Sequence, residues 1–287
     1  MAGVAIVTDT THYLPRELVD ANELHQVSLY VNWEGRQDRE SELPDFGAYY
    51  EHLRVADQLP TTSQPSVGDF LAVFEPLLTS GRDVLSIHLS AGLSGTYESA
   101  LTAKAQVDQE GREGNVEVLD SSTTCGGLGL VLLAAAAEAR AGGDLEACTR
   151  RAIEARDALK IWFCVDTMEF LRRGGRIGAA QAWLGSTLKI KPILSIESEI
   201  LPVERVRTAG RAFERMVEYL RSRHADGADG WIVQHIQAPD QAERLVERGR
   251  EIFESEPLFV SEVGPVIGTH AGPGMIGVGG APAAFVR

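Results

Sequence analysis

A chain of 287 residues with ordinary apolar, charged and glycine content is long enough to bury a sizeable core, as one large domain or two modest ones. Its formal charge of −14, with no lysine- or arginine-rich run, argues against nucleic acid and against an anionic membrane surface as partner, since both select basic patches. No stretch approaches the ~18 uninterrupted apolar residues of a bilayer span, which excludes stable membrane insertion and leaves transient membrane contact open.

The chain opens on a strand over Val4–Thr8, not on a signal peptide, because no basic segment precedes it and Asp9 ends the apolar run. A proline-opened helix over Pro15–Asn22 and an extended segment over His25–Asn32 follow. Amphipathic periods predict helices over Phe46–Ala56 and Val67–Thr79, the second capped by Ser66. Val84–Leu89 and Val116–Leu119 read as strands, Gly95–Val107, Gly129–Ala141 and Leu145–Leu159 as helices. Strand and helix alternate throughout this half, which predicts a three-layer α/β/α unit with a mainly parallel sheet.

Beyond Leu159 the pattern changes. Strands are expected at Ile161–Val165, Lys189–Ile196, Trp231–His235 and Phe259–Val263, with helices near Gln181–Thr187, Ala212–His224 and Gln241–Glu254. Strands fall together without a helix between them at Ile193–Val206 and Val263–Val278, so the second sheet should be mixed. The expectation is an α/β protein of two domains, 1–159 and 160–287. Its cysteines, Cys125, Cys148 and Cys164, match no CxxC or zinc spacing and suit a cytoplasmic location.

Small polar residues gather where an open α/β sheet builds ligand sites, beyond strand ends and at helix starts. Thr8-Asp9-Thr10-Thr11 follows the first strand, where it would cap a turn or line a crevice. In Pro60-Thr61-Thr62-Ser63-Gln64-Pro65-Ser66 the flanking prolines hold three hydroxyls on an extended run. Ser90-Ala91-Gly92-Leu93-Ser94-Gly95-Thr96 leads into a helix, so Ser94 is either an N-cap or part of an anion site. His270, within Gly268-Thr269-His270-Ala271-Gly272-Pro273-Gly274, is the one histidine in a glycine-rich setting; His88 and His235 sit inside apolar strands as core residues. Leu171-Arg172-Arg173-Gly174-Gly175-Arg176-Ile177 is a basic turn in an acidic protein, and Arg207 lies in an extended run. Gly126-Gly127-Leu128-Gly129 lacks the GxGxxG spacing of a dinucleotide loop.

Taken in order, Thr-Ser-Gln-Pro-Ser at 62–66, Leu-Ser-Gly-Thr at 93–96, Arg-Arg-Gly-Gly-Arg-Ile at 172–177 and His-Ala-Gly-Pro-Gly at 270–274 resemble the DegV family of bacterial fatty-acid-binding proteins. Asp9-Thr10-Thr11, Leu119-Asp120-Ser121, Lys189-Ile190-Lys191-Pro192-Ile193 and Val206-Arg207-Thr208 fall in the family's order as well, so the resemblance covers nearly the whole chain. It implies a two-domain carrier that encloses one long-chain fatty acid between its domains, with Thr62, Ser94 and His270 binding the carboxylate; Thr61, Ser63, Gly95, Thr96, Asp9 and Ser121, in the same polar segments and motifs, are candidates for the pocket or the shell behind it. It also implies a partner, an ATP-dependent fatty-acid kinase, docked through arginines resembling Arg173, Arg176 and Arg207, and no cofactor. Many members carry an Asp-Gly turn where this chain has Glu197-Ser198-Glu199-Ile200, a departure expected to touch the docking surface and not the ligand site.

A buried carboxylate needs hydrogen-bond donors, and neutral ones would leave it reactive where a bidentate arginine would hold it in an ion pair. Two other readings of the same residues are a serine hydrolase using Ser94 and His270, which lacks the GxSxG elbow, and a dihydroxyacetone-kinase-like module capturing a carbonyl on His270. The chain has no GxxxxGK[ST] loop, so no phosphoryl transfer of its own is expected.

Overall fold

The computed structural model describes residues 3–43, 45–56, 58–183 and 190–286. Its strands are β1 (Val4–Asp9), β2 (His25–Val27), β3 (Tyr30–Trp33), β4 (Arg36–Arg39), β5 (Thr61–Ser63), β6 (Asp83–His88) and β7 (Val116–Asp120), then β8 (Lys160–Cys164), β9 (Lys191–Glu197), β10 (Glu199–Val206), β11 (Gly230–His235), β12 (Phe259–Glu262) and β13 (Ile276–Ala281).

The first sheet is parallel, in the order β2-β1-β6-β7. All six residues of β1 are buried, which is why it reads as a continuous apolar run and not as an alternation. Ala5 and Val7 face Phe70, Phe74, Ala100 and Ala103 of helices Val67–Thr79 and Thr96–Gln109. Val4 and Ile6 face the opposite layer, helices Cys125–Arg140 and Leu145–Ala158. The α/β/α expectation is met, and the capping box of Ser66 with Asp69 starts helix Val67–Thr79 where the sequence placed it.

The second sheet has the order β10-β9-β8-β13-β11-β12 and is mixed, only β11 and β12 running parallel. Helices Ala209–Ala225 and Pro239–Phe253 pack on its outer face against Trp231 and Val233. Its inner face meets helix Cys125–Arg140, which therefore lies between two sheets and is buried without a break from Cys125 to Ala136. This explains Gly126-Gly127: a Cβ on Gly126 would collide with Ile232 of β11, and one on Gly127 would sit 3.0 Å from the Ile161 Cδ1 of β8. The pair lets the helix seat closely on the sheet.

Two departures from the sequence reading matter for the site. The extended segment His25–Asn32 splits, β2 joining the parallel sheet while β3 nucleates a small antiparallel sheet, β4-β3-β5. The break falls at Ser28-Leu29, where the Ser28 hydroxyl donates to the Leu29 carbonyl instead of leaving the backbone to a ladder. The segment Val263–Val278 is not a strand pair, because helix Pro265–Ala271 intervenes and β13 inserts between β8 and β11. Proline after Gly264 starts that helix despite the β-branched residues that follow. Near Gln181 the chain forms a 3-10 helix, Gly178–Trp183; residues 184–187 of the expected helix and Lys189 of the expected strand lie outside the described residues. Among the described residues no helix is long and apolar enough to cross a membrane.

Candidate functional site

A cavity opens where the small sheet, the Leu93–Ser94 loop, helix Pro265–Ala271 and the inner face of the second sheet converge. β5 pairs with β3, Thr62 standing opposite Val31, so the small sheet fixes the threonine at the mouth. Thr62 Oγ1 lies 2.8 Å from His270 Nε2. The His270 ring is packed against Gly174, where any Cβ would overlap Nδ1, and Nδ1 is buried without a partner. Burial first, and the positive charge of Arg176 second, push His270 down to about 4, so the imidazole is neutral near pH 7. A bare ring nitrogen is cheaper to bury than an unpaired N–H. The proton therefore belongs on Nε2, where it donates to Thr62 and leaves the threonine hydroxyl proton to be given to a guest.

Ser94 sits across the mouth. Its hydroxyl accepts from the Thr96 amide at 3.3 Å and lies 2.9 Å from Thr96 Oγ1. It thus faces the start of helix Thr96–Gln109, whose free amides and dipole favour an anion. Arg176 also lines the mouth, held there by bonds to the carbonyls of Leu93 and Gly174. Beyond this polar rim the walls are apolar: Leu29, Leu89 and Leu171, Phe163, Ile232 and Ile267 are representative. Cys125 belongs to that wall, and burial pushes its thiol up to about 12, so it stays neutral. Thr124 and Gln234 are the exceptions, and both are satisfied, Thr124 donating to the Thr11 hydroxyl and Gln234 accepting from the Gly126 amide and donating to Ser261. One mouth with hydrogen-bond donors and one long apolar wall suit a ligand with a polar head and a hydrocarbon body.

The comparisons with known proteins agree over the full length. The DegV family model matches residues 3–283. The chain belongs to the DegV family. A DegV domain-containing protein of Halalkalibacterium halodurans is 39% identical over 285 residues, 97% of this chain and 98% of that protein. Two solved DegV structures superpose with TM-scores of 0.87 at 34% identity, each covering 98% of this chain and 99% of its own. One, from Thermus thermophilus, is described by its fatty acid binding, and the other is DegV of Bacillus subtilis, a fatty acid binding protein.

Among the positions singled out in this DegV chain, Thr62, Ser63, Ser94, His270 and Arg176 line the cavity. Thr61 is exposed and takes no part in the lining. Gly95 lies under the Gln64 amide, and Thr96 is buried beneath Ser94. Asp9 and Ser121 are elsewhere. Asp9 is fully buried, accepting from the Thr11 amide and hydroxyl, the Leu89 amide and His88 Nδ1. Burial alone would raise its carboxyl, but the His88 bond and charge and the Thr11 and Leu89 bonds outweigh it and hold Asp9 below the usual range. Ser121 borders a separate depression. Arg173 and Arg207 are exposed away from the cavity, whereas Arg176, expected on a docking surface, is at its mouth.

The Glu197–Ile200 hairpin is also closer to the ligand site than expected. Ile196 and Ile200 line the cavity, and Ser198 is tied to Ser122 and Ser90 across the two halves. Gln64 was not anticipated either, although it stands inside the Thr-Ser-Gln-Pro-Ser motif; it lines the mouth and donates to Ser99.

Proposed function

We propose that this chain is a carrier for one long-chain fatty acid, held in the cavity with its carboxylate at Thr62, Ser94 and His270. The observation that carries the proposal is the Thr62–His270 pair, a neutral donor set at the polar mouth of a largely apolar-walled cavity. The fatty acid binding of the Thermus thermophilus and Bacillus subtilis relatives supports it. Each methylene removed from water contributes about 0.8 kcal/mol, so ~14 of them supply on the order of 10 kcal/mol before ordering costs. The hydrocarbon sets affinity and the rim sets orientation. Arg176 adds a cation beside the neutral donors, with its charge divided between the rim and two backbone carbonyls.

In this reading the chain does no chemistry of its own. It presents the carboxylate, in the cytoplasm, to a separate ATP-dependent kinase that forms the acyl phosphate, with Arg173 and Arg207 on the docking side. The carrier divides near Leu159 into residues 1–159 and 160–287, with the ligand between. The hydrolase alternative is not favoured by the geometry. Ser94 is engaged with Thr96 and His270 with Thr62, and no carboxylate orients His270 Nδ1 among the described residues.

Native mass spectrometry of the purified protein, with lipid extraction, tests the carrier. One equivalent of a long-chain fatty acid is expected. A protein that arrives empty and takes up none from solution overturns the reading. For the docking claim, Arg207→Glu should retain its lipid and lose kinase-coupled turnover; loss of lipid would move Arg207 into the pocket.

A further inference from the structure

The cavity shares a wall with a second depression. That depression is bounded by Ser121, Ser122 and Thr123 on one side and by Glu197 and Ser198 of the β9–β10 turn on the other. Ile161 and Ile196 belong to the linings of both. They face each other across the antiparallel pair β8–β9, since the register Phe163↔Leu194 and Trp162↔Ser195 continues to Ile161 opposite Ile196. Two residues further along the same face, Phe163 and Leu194 are buried, whereas Ile161 and Ile196 are partly exposed. The partition is therefore a single cross-strand pair of side chains, with hydrocarbon space on one side and a polar groove on the other.

The pair is also set apart from the His270 side of the rim. β13 begins at Ile276, just after His270 and Met275, and Ile161 stands beside Gly279 in the ladder. Met275 to Gly279 is four residues, ~13 Å of strand. Phe163 flanks Gly277 between them, and Gly277 leaves that stretch of the cavity floor without a side chain. Ile161 has little freedom to yield: helix Cys125–Arg140 approaches it through Gly127. Ile196 is held by the hairpin whose turn residue, Ser198, donates its amide to the Ser122 carbonyl at 2.8 Å and accepts from the Ser90 hydroxyl.

We propose that the Ile161–Ile196 pair is the stop for the far end of the acyl chain and sets the length of fatty acid the cavity accepts. This rests on the carrier reading and adds to it a residue pair that measures the hydrocarbon. A chain that reaches the pair fills the apolar space. One that is longer must displace the isoleucines and put its terminal methylenes into a polar, wet groove, where they lose the burial that drives binding.

The test is the length profile of bound saturated fatty acids, measured by competition and by mass spectrometry of extracted lipid. Ile161→Ala should move the optimum to longer chains by roughly two methylenes, about the length of side chain removed. Ile196→Phe should move it to shorter ones. Ile196→Val removes one methyl from a partly exposed position and guards against a folding failure; it should shift the profile in the same direction as Ile161→Ala, by less. A fatty acid with a fluorophore at its terminal carbon gives a second readout, with iodide quenching from solution rising in Ile161→Ala. Wild-type protein that binds fatty acid, with all three variants keeping the wild-type length profile, overturns the stop while leaving the carrier intact. Wild-type protein that binds none overturns both.

Discussion

Thr62 Oγ1 and His270 Nε2 are 2.8 Å apart although 208 residues separate them in the chain. The contact joins the edge strand of the three-stranded sheet to the helix that precedes β13, so the polar end of the cavity exists only when both parts of the fold are in place. Gly174 backs the ring from the basic turn, which ties a third segment to the same point.

Thr62→Val keeps the shape of the side chain and removes its hydroxyl. A hydrogen bond to a charged group is worth about 1.5–3 kcal/mol, so fatty-acid affinity should fall roughly 10- to 100-fold. The melting temperature should fall as well, because the substitution leaves the largely buried His270 Nε2–H without its acceptor, at a cost of about 1–3 kcal/mol. Displacement of a fluorescent fatty acid measures the loss; unchanged affinity would remove Thr62 from the carboxylate site.

Acid stability should carry the mark of two buried histidines. His270 and His12 are both held down to about 4, burial being the main cause in each. A base whose folded pKa lies below its unfolded value of 6.5 contributes stability that is present above pH 6.5 and is lost as the pH falls through 4. Each amounts to roughly 3 kcal/mol across that interval. His270→Gln should flatten the decline of urea-unfolding free energy between pH 6.5 and 4. A decline as steep as wild type would show that the ring is not neutral and buried.

Glu40 should act in the opposite sense. It is 3% exposed, accepts from Thr10, Tyr13 and the Val266 amide, and is pushed up to about 7 by burial, which outweighs those three donors. A carboxyl raised above its unfolded 4.5 contributes stability that is complete below pH 4.5 and is lost as the pH rises through 7. Glu40→Gln should therefore gain stability relative to wild type at pH 8 compared with pH 5. Because Val266 lies in the first turn of the helix that carries His270, the same measurement should be repeated on fatty-acid affinity, which is expected to follow stability.

Gly126→Val places a branched side chain where helix Cys125–Arg140 already touches Ile232. Overpacking at such a contact costs typically ~1–3 kcal/mol, so the midpoint of chemical unfolding should fall. Gly277→Val is the contrasting case: the nearest atom to a new Cβ there is Phe163 Cβ at 3.5 Å, an ordinary contact, and the position lines the cavity. It should fold and bind less lipid. Equal losses of stability in the two variants would contradict the assignment of one glycine to packing and the other to ligand space.

Much was legible from the chain alone. Patterns local to a few residues were enough for the alternation of strands and helices, the N-cap at Ser66, the α/β/α layering and the family resemblance, because hydrophobic period, turn chemistry and motif order are written in consecutive residues. The motifs also singled out Thr62, Ser94 and His270, which the fold gathers at one cavity mouth. What consecutive residues do not carry is which segment meets which. His25–Asn32 reads as one extended stretch, yet its halves pair with different sheets, and the β-branched run after Pro265 is helical while β13 enters the sheet between β8 and β11, away from β12. Asp9 has the composition of a site residue, but the long-range contact with His88 makes it a buried structural anion, and Arg176 reads as surface until Leu93 and Gly174 draw it to the rim. Side chains choose partners through space, and the free energy of a buried charge or a shared cavity wall is set by residues that may lie hundreds of positions away; only the folded chain decides those.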